Sequence, residues 1–466
     1  MLKDFLSIPR RHPKYREGRT KDFYDVEIRP DSGETRLQAR RCMQCGIPFC
    51  HSYGCPLANS IPEINAAVCD GRSDYAYEIL SISSPFPEFT SRICPALCQS
   101  ACCAGLPSEP VAVKQIEFEA IESAFKAGLV KPRTPKRLTG KRVAVVGAGP
   151  AGLACADRLR ALGHEVCVFE KRQRAGGLLR YGIPDFKLEK HIIDRRISLM
   201  EEAGVMFEFG TEIGADISVK YIQKRFDAVC LCIGCETPRD LNIKGRELSG
   251  IHCALEFLGS QNRFNSGEIP ELEISAKGRD VLIIGGGDTG SDCLGSAIRQ
   301  GARSVAQIEI MPEPPAQRSP STPWPMWEYK KRTSSSHLEG GTRMWSVLSK
   351  EFAGKNGRVC ALKAARLEWD FQDGRPKSFR EIPNSDFEIK ADLVLLSMGF
   401  TGVAKGSLMA ELPIASTERG CIKINAGSAT SESGIFAGGD AVSGPSLVVR
   451  AIASGIKLAE DVDKQF

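Results

Sequence analysis

Half of the cysteines in this chain lie in one short segment. Nine of the eighteen fall between Cys42 and Cys103, spaced as Cys-x2-Cys-x4-Cys-x4-Cys and Cys-x3-Cys-x3-Cys among others. Thiolates at such short spacing can close around an iron–sulfur cluster, and seven or eight thiolates are enough for two clusters. A glycine-rich dinucleotide fingerprint begins at Gly147, about forty residues after the last of them. The combination indicates metal-centred electron transfer connected to a nucleotide-binding domain.

The same number of cysteines would indicate disulfides in a small secreted domain. The N-terminal sequence, however, lacks the continuous apolar region and the small-residue cleavage site of a secretory signal, and no stretch of eighteen apolar residues occurs in the chain. We therefore expect a soluble, cytoplasmic protein that does not associate with a membrane. With 62 basic and 57 acidic residues the net charge is +5, which predicts no electrostatic contact with nucleic acid.

The residues between the first four cysteines distinguish a ligand site from buried apolar thiols, which is what free cysteines usually are. They include turn-forming residues such as Gly46, Pro48 and Gly54, which would let the backbone wrap around a ligand. Zinc remains an alternative because Cys-x2-Cys is also a zinc spacing, but a redox-inert ion would add little beside two dinucleotide sites. The pattern therefore favours iron–sulfur over zinc.

The first fingerprint has the context that a dinucleotide site requires. The apolar run Arg142–Val146 precedes it, an amphipathic stretch follows from Leu153, and Glu170 closes the next strand-like run. Its first glycine allows a tight turn, its second lets a pyrophosphate approach the backbone, and its third packs helix on strand. The glutamate would accept hydrogen bonds from ribose hydroxyls. The predicted binding residues are Gly147, Gly149, Pro150, Ala151, Gly152 and Glu170.

A second fingerprint, at residues 285–290, follows the apolar run at residues 281–284. The predicted binding residues there are Gly285, Gly287, Asp288, Thr289, Gly290 and Glu309. An acidic residue such as Glu309 at the end of the next strand suits the free ribose 2′-hydroxyl of NADH, whereas a basic one would suit the 2′-phosphate of NADPH. Glu309 could also be a solvated carboxylate. The choice of nucleotide stays open, because a phosphate could still be reached by Arg318, Lys330, Lys331 and Arg332.

The order of the strand-like runs predicts how the domains are arranged. Residues 227–234 and 391–399 each close on a glycine and are expected to end the sheet of a nucleotide domain, and residues 434–440 form another strand before a C-terminal helix. The first nucleotide domain is therefore expected to be interrupted by the second. The predicted fold is α/β, with a helical iron–sulfur domain at residues 1–130 followed by two Rossmann-like domains, the first at residues 138–260 and 398–466 and the second inserted at residues 261–397.

Three stretches carry a resemblance to a known family: RCMQCGIPFCH at residues 41–51, PEFTSRICPALC at residues 87–98 and GGLLRYGIP at residues 176–184. Over nearly its whole length the chain resembles the small (β) subunit of NAD(P)H-dependent glutamate synthase. It is also similar to the electron-input half of dihydropyrimidine dehydrogenase and to the large subunit of ferredoxin-dependent transhydrogenases.

The resemblance implies three kinds of cofactor. FAD would bind at the first fingerprint, NADPH or NADH at the second, and two [4Fe-4S] clusters in the N-terminal domain. One cluster would be held by Cys42, Cys45, Cys50 and Cys102, and the other by Cys55, Cys94, Cys98 and Glu117. Cys103 departs from the family pattern, so either of the two neighbouring cysteines could ligate, and Cys102 is favoured by its spacing. Further cofactor contacts are expected from Gly177, Leu178, Gly439, Asp440, Ser446, Leu447 and Val448.

The resemblance also implies a function. The nicotinamide would give a hydride to the flavin, and the reduced flavin would pass electrons singly through the clusters to a large subunit that makes glutamate from glutamine and 2-oxoglutarate. No general base is predicted. The same module could instead serve a bifurcating ferredoxin–NADP transhydrogenase, a dihydropyrimidine dehydrogenase or another NAD(P)H oxidoreductase complex. A third possibility is a cluster-bearing assembly protein whose nucleotide sites are vestigial.

Overall fold

The computed structural model describes residue 5 and residues 7–466 of the chain. Its N-terminal part is helical, with one short antiparallel strand pair, and the helices pack around apolar residues such as Ile61, Leu80 and Ile116. The elements are β1 (Lys14–Tyr15), β2 (Glu27–Ile28), α1 (Ser32–Ala39), α2 (Ile61–Cys69), α3 (Ser73–Ser83), α4 (Pro87–Ile93), α5 (Leu97–Ser100) and α6 (Val113–Lys126), with a π-helical turn at Cys50–Gly54 and 3-10 turns at Arg19–Lys21 and Cys103–Gly105. Most of the clustered cysteines lie in the turns and connections between these helices.

The first nucleotide domain is built on a five-stranded parallel sheet. In spatial order its strands are β16 (Ile435–Ala437), β6 (Ala228–Leu231), β3 (Arg142–Val146), β4 (Glu165–Glu170) and β5 (Val205–Phe209). Strand β16 comes from near the end of the chain, so the chain leaves this sheet after β6 and later returns. This confirms the predicted insertion of one nucleotide domain into the other. The helices of this part are α7 (Pro150–Leu162), α8 (Leu178–Tyr181), α9 (Lys190–Glu202), α10 (Val219–Arg225), α13 (Ser407–Glu411), α14 (Asp440–Ser443) and α15 (Val448–Asp463).

The inserted domain has its own five-stranded parallel sheet. In spatial order the strands are β10 (Thr342–Met344), β9 (Ser304–Ile308), β8 (Asp280–Ile284), β15 (Leu393–Leu396) and β7 (Ile251–Cys253). Helices α11 (Ala254–Asn265) and α12 (Asp288–Arg299) and a 3-10 turn at Ser336–Leu338 accompany it. Strand β7 lies in this second sheet although the boundary predicted at residue 260 placed it in the first domain. The change from one sheet to the other lies between Leu231 and Ile251.

An antiparallel sheet extends from the inserted domain. Its strands are β11 (Val347–Lys355), β12 (Arg358–Gln372), β13 (Arg375–Glu381) and β14 (Phe387–Lys390). This sheet was not predicted from the sequence. Two hairpins in it turn on Asn356-Gly357 and Asp373-Gly374, where all four residues have positive φ. Among the residues that the structure describes, no helix is both long and apolar enough to cross a bilayer.

A buried ion pair joins the N-terminal domain to the first nucleotide domain. Arg196 on α9 donates through Nε to Oε1 of Glu88 on α4 at 2.6 Å, and both side chains are buried. The second oxygen of Glu88 has no hydrogen-bond partner among the described residues. Phe86 and Phe89 pack into the same apolar core as residues of β3 and β4. The N-terminal domain is therefore joined to the nucleotide domain by apolar packing and by one buried charge pair.

We expect Arg196→Met to lower the free energy of unfolding by about 3–5 kcal/mol, because it leaves the Glu88 carboxylate buried without its counter-ion. Arg158→Met is the matched control. It breaks the Arg158–Glu460 pair, whose two side chains are each 42% exposed, and should cost no more than about 1 kcal/mol. Urea unfolding of both purified variants measures the difference. An equal loss of unfolding free energy in the two variants would contradict the expected cost of leaving Glu88 without its counter-ion.

Candidate functional site

A cavity of about 1160 Å³ connects the three parts of the fold. Its lining includes Gly147 and Gly149 after β3, Asp288 and Thr289 at the start of α12, and Cys94 from the N-terminal domain. Ligands bind preferentially in such clefts between domains. The structure thus brings both fingerprint turns and one edge of the cysteine segment around a common space.

The first fingerprint turn carries β3 directly into α7. Gly147 has a φ of 101°, in the region that favours glycine, and a Cβ atom there would lie 2.6 Å from the carbonyl oxygen of Cys232. A Cβ on Gly152 would lie 1.8 Å from the carbonyl oxygen of Gly147, so the helix can approach the strand only without a side chain. Helix α7 begins at Pro150, beside the cavity. The N-terminus of a helix can bind an anion such as a pyrophosphate.

The residues predicted to surround the flavin meet at the same cavity. Gly177 has a φ of 50°, and a Cβ there would lie 2.7 Å from the Cα atom of Gly149, so their two loops touch. Ser446 donates through Oγ to Oδ1 of Asp440 at 2.6 Å, which fixes the segment before α15. Gly439 packs against α7. The cavity lining also includes Leu178, Leu447 and Val448.

The second fingerprint turn repeats the geometry of the first. Gly285 has a φ of 123°, and a Cβ on Gly290 would lie 2.4 Å from the carbonyl oxygen of Gly285. Helix α12 begins at Asp288, directly after Gly287. Asp288 and Thr289 reach the cavity. A second helix N-terminus is therefore placed to receive an anion.

Glu170 and Glu309 occupy equivalent positions in the two nucleotide domains. Glu170 accepts from the backbone N–H of Ala148 at 2.9 Å, and Glu309 accepts from the backbone N–H of Gly286 at 2.6 Å. Each carboxylate also accepts from the N–H group two residues further along the chain. Burial raises the pKa of Glu170, and its backbone hydrogen bonds oppose that shift. Both carboxylates are therefore held at the fingerprint turn of their domain.

The basic residues that could reach a 2′-phosphate occupy different places. Arg332 lines the cavity and stacks over Trp327, with 4.2 Å from the guanidinium carbon to the ring centre. Burial lowers the pKa of Arg332. Lys330 and Lys331 form ion pairs with glutamates of the same segment. Arg332 is therefore the one of these three that lines the cavity.

The segment at residues 312–332 also contacts the N-terminal domain. Arg318 donates to the carbonyl oxygen of Ser100 at 2.9 Å, and Trp324 packs against Phe49 with ring centres 4.6 Å apart. Phe49 directly precedes Cys50. Arg318 thus ties the inserted domain to the cysteine segment, a role that the sequence analysis did not predict.

A chain of hydrogen bonds that the sequence analysis missed supports the second fingerprint. It runs from Ser291 to Ser334 at 2.5 Å, from Ser334 to His337 at 3.2 Å, from His337 to Gln307 at 2.9 Å, and from Gln307 to the carbonyl oxygen of Gly285 at 2.8 Å. Burial lowers the pKa of His337 to about 4, so its ring is neutral at pH 7. The serine run at residues 334–336 is the only hint of this network in the sequence.

The structure brings together Cys42, Cys45, Cys50 and Cys102, which we call the first cysteine group. Burial, together with the neighbouring thiols of Cys102 and Cys42, raises the pKa of Cys50 to about 12. Burial raises the pKa of Cys45 to about 11, with Cys103, Cys42 and Cys102 contributing. Burial raises the pKa of Cys42, and the Cys102 thiol contributes to that shift. Cys102 is therefore a neighbour of all three other thiols. Cys103 forms a thiol–thiol hydrogen bond with Cys45.

The second cysteine group consists of Cys55, Cys94, Cys98 and Glu117, which line a small cavity of about 30 Å³. Burial raises the pKa of Cys94 to about 12 and that of Glu117 to about 7. Thr90 donates through Oγ1 to Glu117 at 2.8 Å. Three thiols and one carboxylate from three separate stretches of the N-terminal sequence thus meet at one place.

The two cysteine groups are adjacent. A Cβ on Gly54 would lie 2.7 Å from the Cα atom of Cys98, so the turn between Cys50 and Cys55 packs tightly on α5. Cys94 also lines the large cavity. The second group therefore stands between that cavity and the first group. Cys69 is buried in the same helical core and belongs to neither group.

The donors in these groups are suited to iron–sulfur clusters, which are held mainly by thiolates. Among the described residues, no three His, Cys, Asp or Glu side chains are placed to hold a metal ion together. The two groups together supply seven thiols and one carboxylate, a donor set of the kind that holds such clusters.

Two family matches divide the chain as the structure does. Residues 19–129 match the family described as dihydropyrimidine dehydrogenase domain II, 4Fe-4S cluster. Residues 141–329 and 354–455 match the pyridine nucleotide-disulphide oxidoreductase family. The chain also superposes on FprA of Mycobacterium tuberculosis in complex with NADPH, with a TM-score of 0.55 and 19% identity, over 70% of this chain and 84% of FprA. At that identity the likeness concerns the fold alone.

Whole-length relatives are more specific. The chain is 49% identical to the glutamate synthase [NADPH] small chain of Mycobacterium tuberculosis (strain H37Rv), over 98% of this chain and 93% of the relative. It is 39% identical to the protein of the same name from Bacillus subtilis, over 99% and 97%. The glutamate synthase [NADH] of Saccharomyces cerevisiae is 42% identical over 99% of this chain, which there spans 22% of a longer protein. The chain belongs to the glutamate synthase small-chain family and is an oxidoreductase with an iron–sulfur domain and two nucleotide-binding domains.

Proposed function

We propose that this chain is the electron-input subunit of a glutamate synthase, which oxidises NADPH or NADH and passes the electrons to a large subunit. The observation that carries the proposal is the common cavity, which is lined by both fingerprint turns and by Cys94 of the second cysteine group. Bound FAD would accept a hydride from the nicotinamide and release the electrons singly. The other redox complexes that use a similar module are not favoured, because the whole-length relatives are glutamate synthase chains.

Residues of the first nucleotide domain would hold FAD. Gly149 leaves room for the pyrophosphate at the N-terminus of α7, and Glu170 is placed to accept from the ribose. Gly177 and Leu178, together with residues 446–448, would surround the flavin ring. Their task is to position the ring and exclude water.

Residues of the inserted domain would hold the nicotinamide nucleotide. Gly287 and the first turn of α12 would receive the pyrophosphate. Glu309, held at the fingerprint turn, suits a free 2′-hydroxyl, whereas Arg332 at the cavity suits a 2′-phosphate. The chain thus offers a partner for either nucleotide. Its relatives likewise include one named for NADPH and one named for NADH.

Each cysteine group would hold one [4Fe-4S] cluster. The ligands would be Cys42, Cys45, Cys50 and Cys102 in the first group and Cys55, Cys94, Cys98 and Glu117 in the second. Cys102 is preferred to Cys103 because it neighbours all three other thiols of the first group. The second group lies at the large cavity, so electrons would pass from the flavin to the second group and then to the first.

The first cysteine group is also where we expect electrons to leave the chain. Ile47 is 73% exposed and Leu106 is 60% exposed, and both lie within three residues of Cys45 or Cys103. Exposed apolar side chains beside the first cysteine group would suit contact with a protein partner. We expect the large subunit to cover this surface and so approach the first cluster.

The proposal is tested by purifying the chain alone and together with a glutamate synthase large chain. Alone, it should contain FAD, iron and sulfide, and anaerobic addition of NADPH or NADH should bleach the flavin absorbance. Together, the two chains should form glutamate from glutamine and 2-oxoglutarate with NAD(P)H as the electron donor. Under the same conditions, neither chain should form glutamate by itself. A stable complex that bleaches with nucleotide but makes no glutamate would overturn the proposed partner.

A further inference from the structure

Lys114 is a half-buried cation in the wall of the large cavity, close to the second cysteine group. It is the second residue of α6, and its Nζ donates to the carbonyl oxygen of Arg92 at 2.8 Å. Its side chain lines the large cavity, as does Cys94, which lies two residues after Arg92. Lys114 also precedes Glu117 by three residues, so the two side chains share a face of the helix. The ammonium group therefore stands beside two of the four donors of the second group.

Among the described residues no carboxylate forms a direct ion pair with Lys114, although Glu117 of the second cysteine group and Glu27 interact with its charge from a greater distance. Among the described residues its only side-chain hydrogen bond is the one to the Arg92 carbonyl. Neighbouring cations are paired: Arg92 with Glu122 at 3.0 Å, and Arg29 with Asp25 at 2.7 Å. Burial lowers the pKa of Lys114, and Glu27 opposes this shift most strongly. A half-buried ammonium group without a direct ion-pair partner is stabilised by further negative charge close by.

A reduced cluster supplies such a negative group. Each electron that enters adds one negative charge, and a fixed cation nearby stabilises the reduced form more than the oxidised one. We propose that Lys114 is a positioning residue for electron transfer, whose charge raises the reduction potential of the cluster on the second cysteine group. The flavin loses one electron, the cluster gains it, and Lys114 exchanges no proton. The inference rests on the proposed function, since it requires that cluster.

The test compares Lys114→Met, which removes the charge and keeps the length, with Lys114→Arg, which keeps the charge. Anaerobic redox titration of the purified protein, followed by EPR, measures the midpoint potential of each cluster. We expect Lys114→Met to shift one cluster to a more negative potential and Lys114→Arg to keep it near the wild-type value. Lys126→Met, at the exposed end of the same helix, is the matched control and should shift neither cluster.

The outcomes separate this inference from the proposed function. Iron, sulfide and FAD contents are measured first, and a wild-type protein without clusters would overturn the proposed function itself. With clusters present, an unchanged potential in Lys114→Met would overturn the role of Lys114 alone. An equal shift in Lys114→Arg would also overturn it, because packing and not charge would then be the cause. If Lys114→Met loses a cluster, Lys114→Gln is titrated in its place. Loss of the cluster in both neutral variants, with its retention in Lys114→Arg, would show that the positive charge stabilises the cluster.

Discussion

Cys98→Ser is expected to abolish glutamate formation with the large chain while the flavin is still reduced by NAD(P)H. Cys98 belongs to the second cysteine group and packs against the turn that precedes Cys55, and burial raises its pKa well above the usual value, with Cys55 and Cys94 contributing. Serine has nearly the same shape but offers a hydroxyl in place of the thiolate that iron prefers. Changes to residues that only support metal ligands commonly cost 10–100-fold, so loss of a ligand should cost more than about 100-fold.

The measurement uses two assays on the same preparation. Reduction of a dye that accepts electrons directly from the flavin should stay near the wild-type rate, and glutamate formation should be lost together with part of the iron and sulfide. Cys360→Ser is the matched control, because Cys360 is exposed on β12, and it should change neither assay. Wild-type glutamate formation by Cys98→Ser would show that the second cysteine group does not carry the electrons.

The features that the sequence could predict are local ones. Each fingerprint lies between an apolar run and a helix, and the spacing to Glu170 and Glu309 is characteristic of the unit, so the two nucleotide domains could be predicted without a structure. The two hairpins on Asn356-Gly357 and Asp373-Gly374 carry an equally local signal, which the sequence analysis did not use. Strand β13, which follows the second hairpin, shows little alternation between apolar and polar residues, because it is largely exposed.

The features that could not be predicted depend on contacts between distant parts of the chain. Arg318 was considered as a phosphate ligand because it is basic and follows Glu309, but it bonds to Ser100, more than two hundred residues earlier. Lys114 carried no signal, because a lysine in a helix is usually exposed. Its position follows from the packing of α6 beside the cavity, which the sequence pattern does not reveal. Glu117 could be proposed only from a resemblance, because nothing in the local sequence distinguishes it from the other glutamates of α6.

Gly290→Ala is expected to lower kcat/KM for NAD(P)H by about 100-fold with FAD retained. The added Cβ would lie 2.4 Å from the carbonyl oxygen of Gly285 and 2.5 Å from Nε2 of Gln307. Relief of these contacts must move α12 away from β8 and shift the N–H groups that would bind the pyrophosphate. A displacement of about 1 Å from the productive geometry can cost about 100-fold in rate. The first fingerprint lies in the other sheet, so flavin content should not change.

The glycine at the far end of the same helix provides the control for Gly290→Ala. Gly301 has a φ of 82°, and nothing lies within 4 Å of a Cβ placed there. Gly301→Ala should therefore lower stability by about 1 kcal/mol through backbone strain and leave nucleotide oxidation unchanged. Steady-state kinetics with a dye acceptor give kcat/KM for NAD(P)H in each variant, and the FAD content is measured on the same preparations. Wild-type kcat/KM in Gly290→Ala would mean that the second fingerprint does not bind the nucleotide, and loss of FAD would mean that the two domains do not bind their ligands independently.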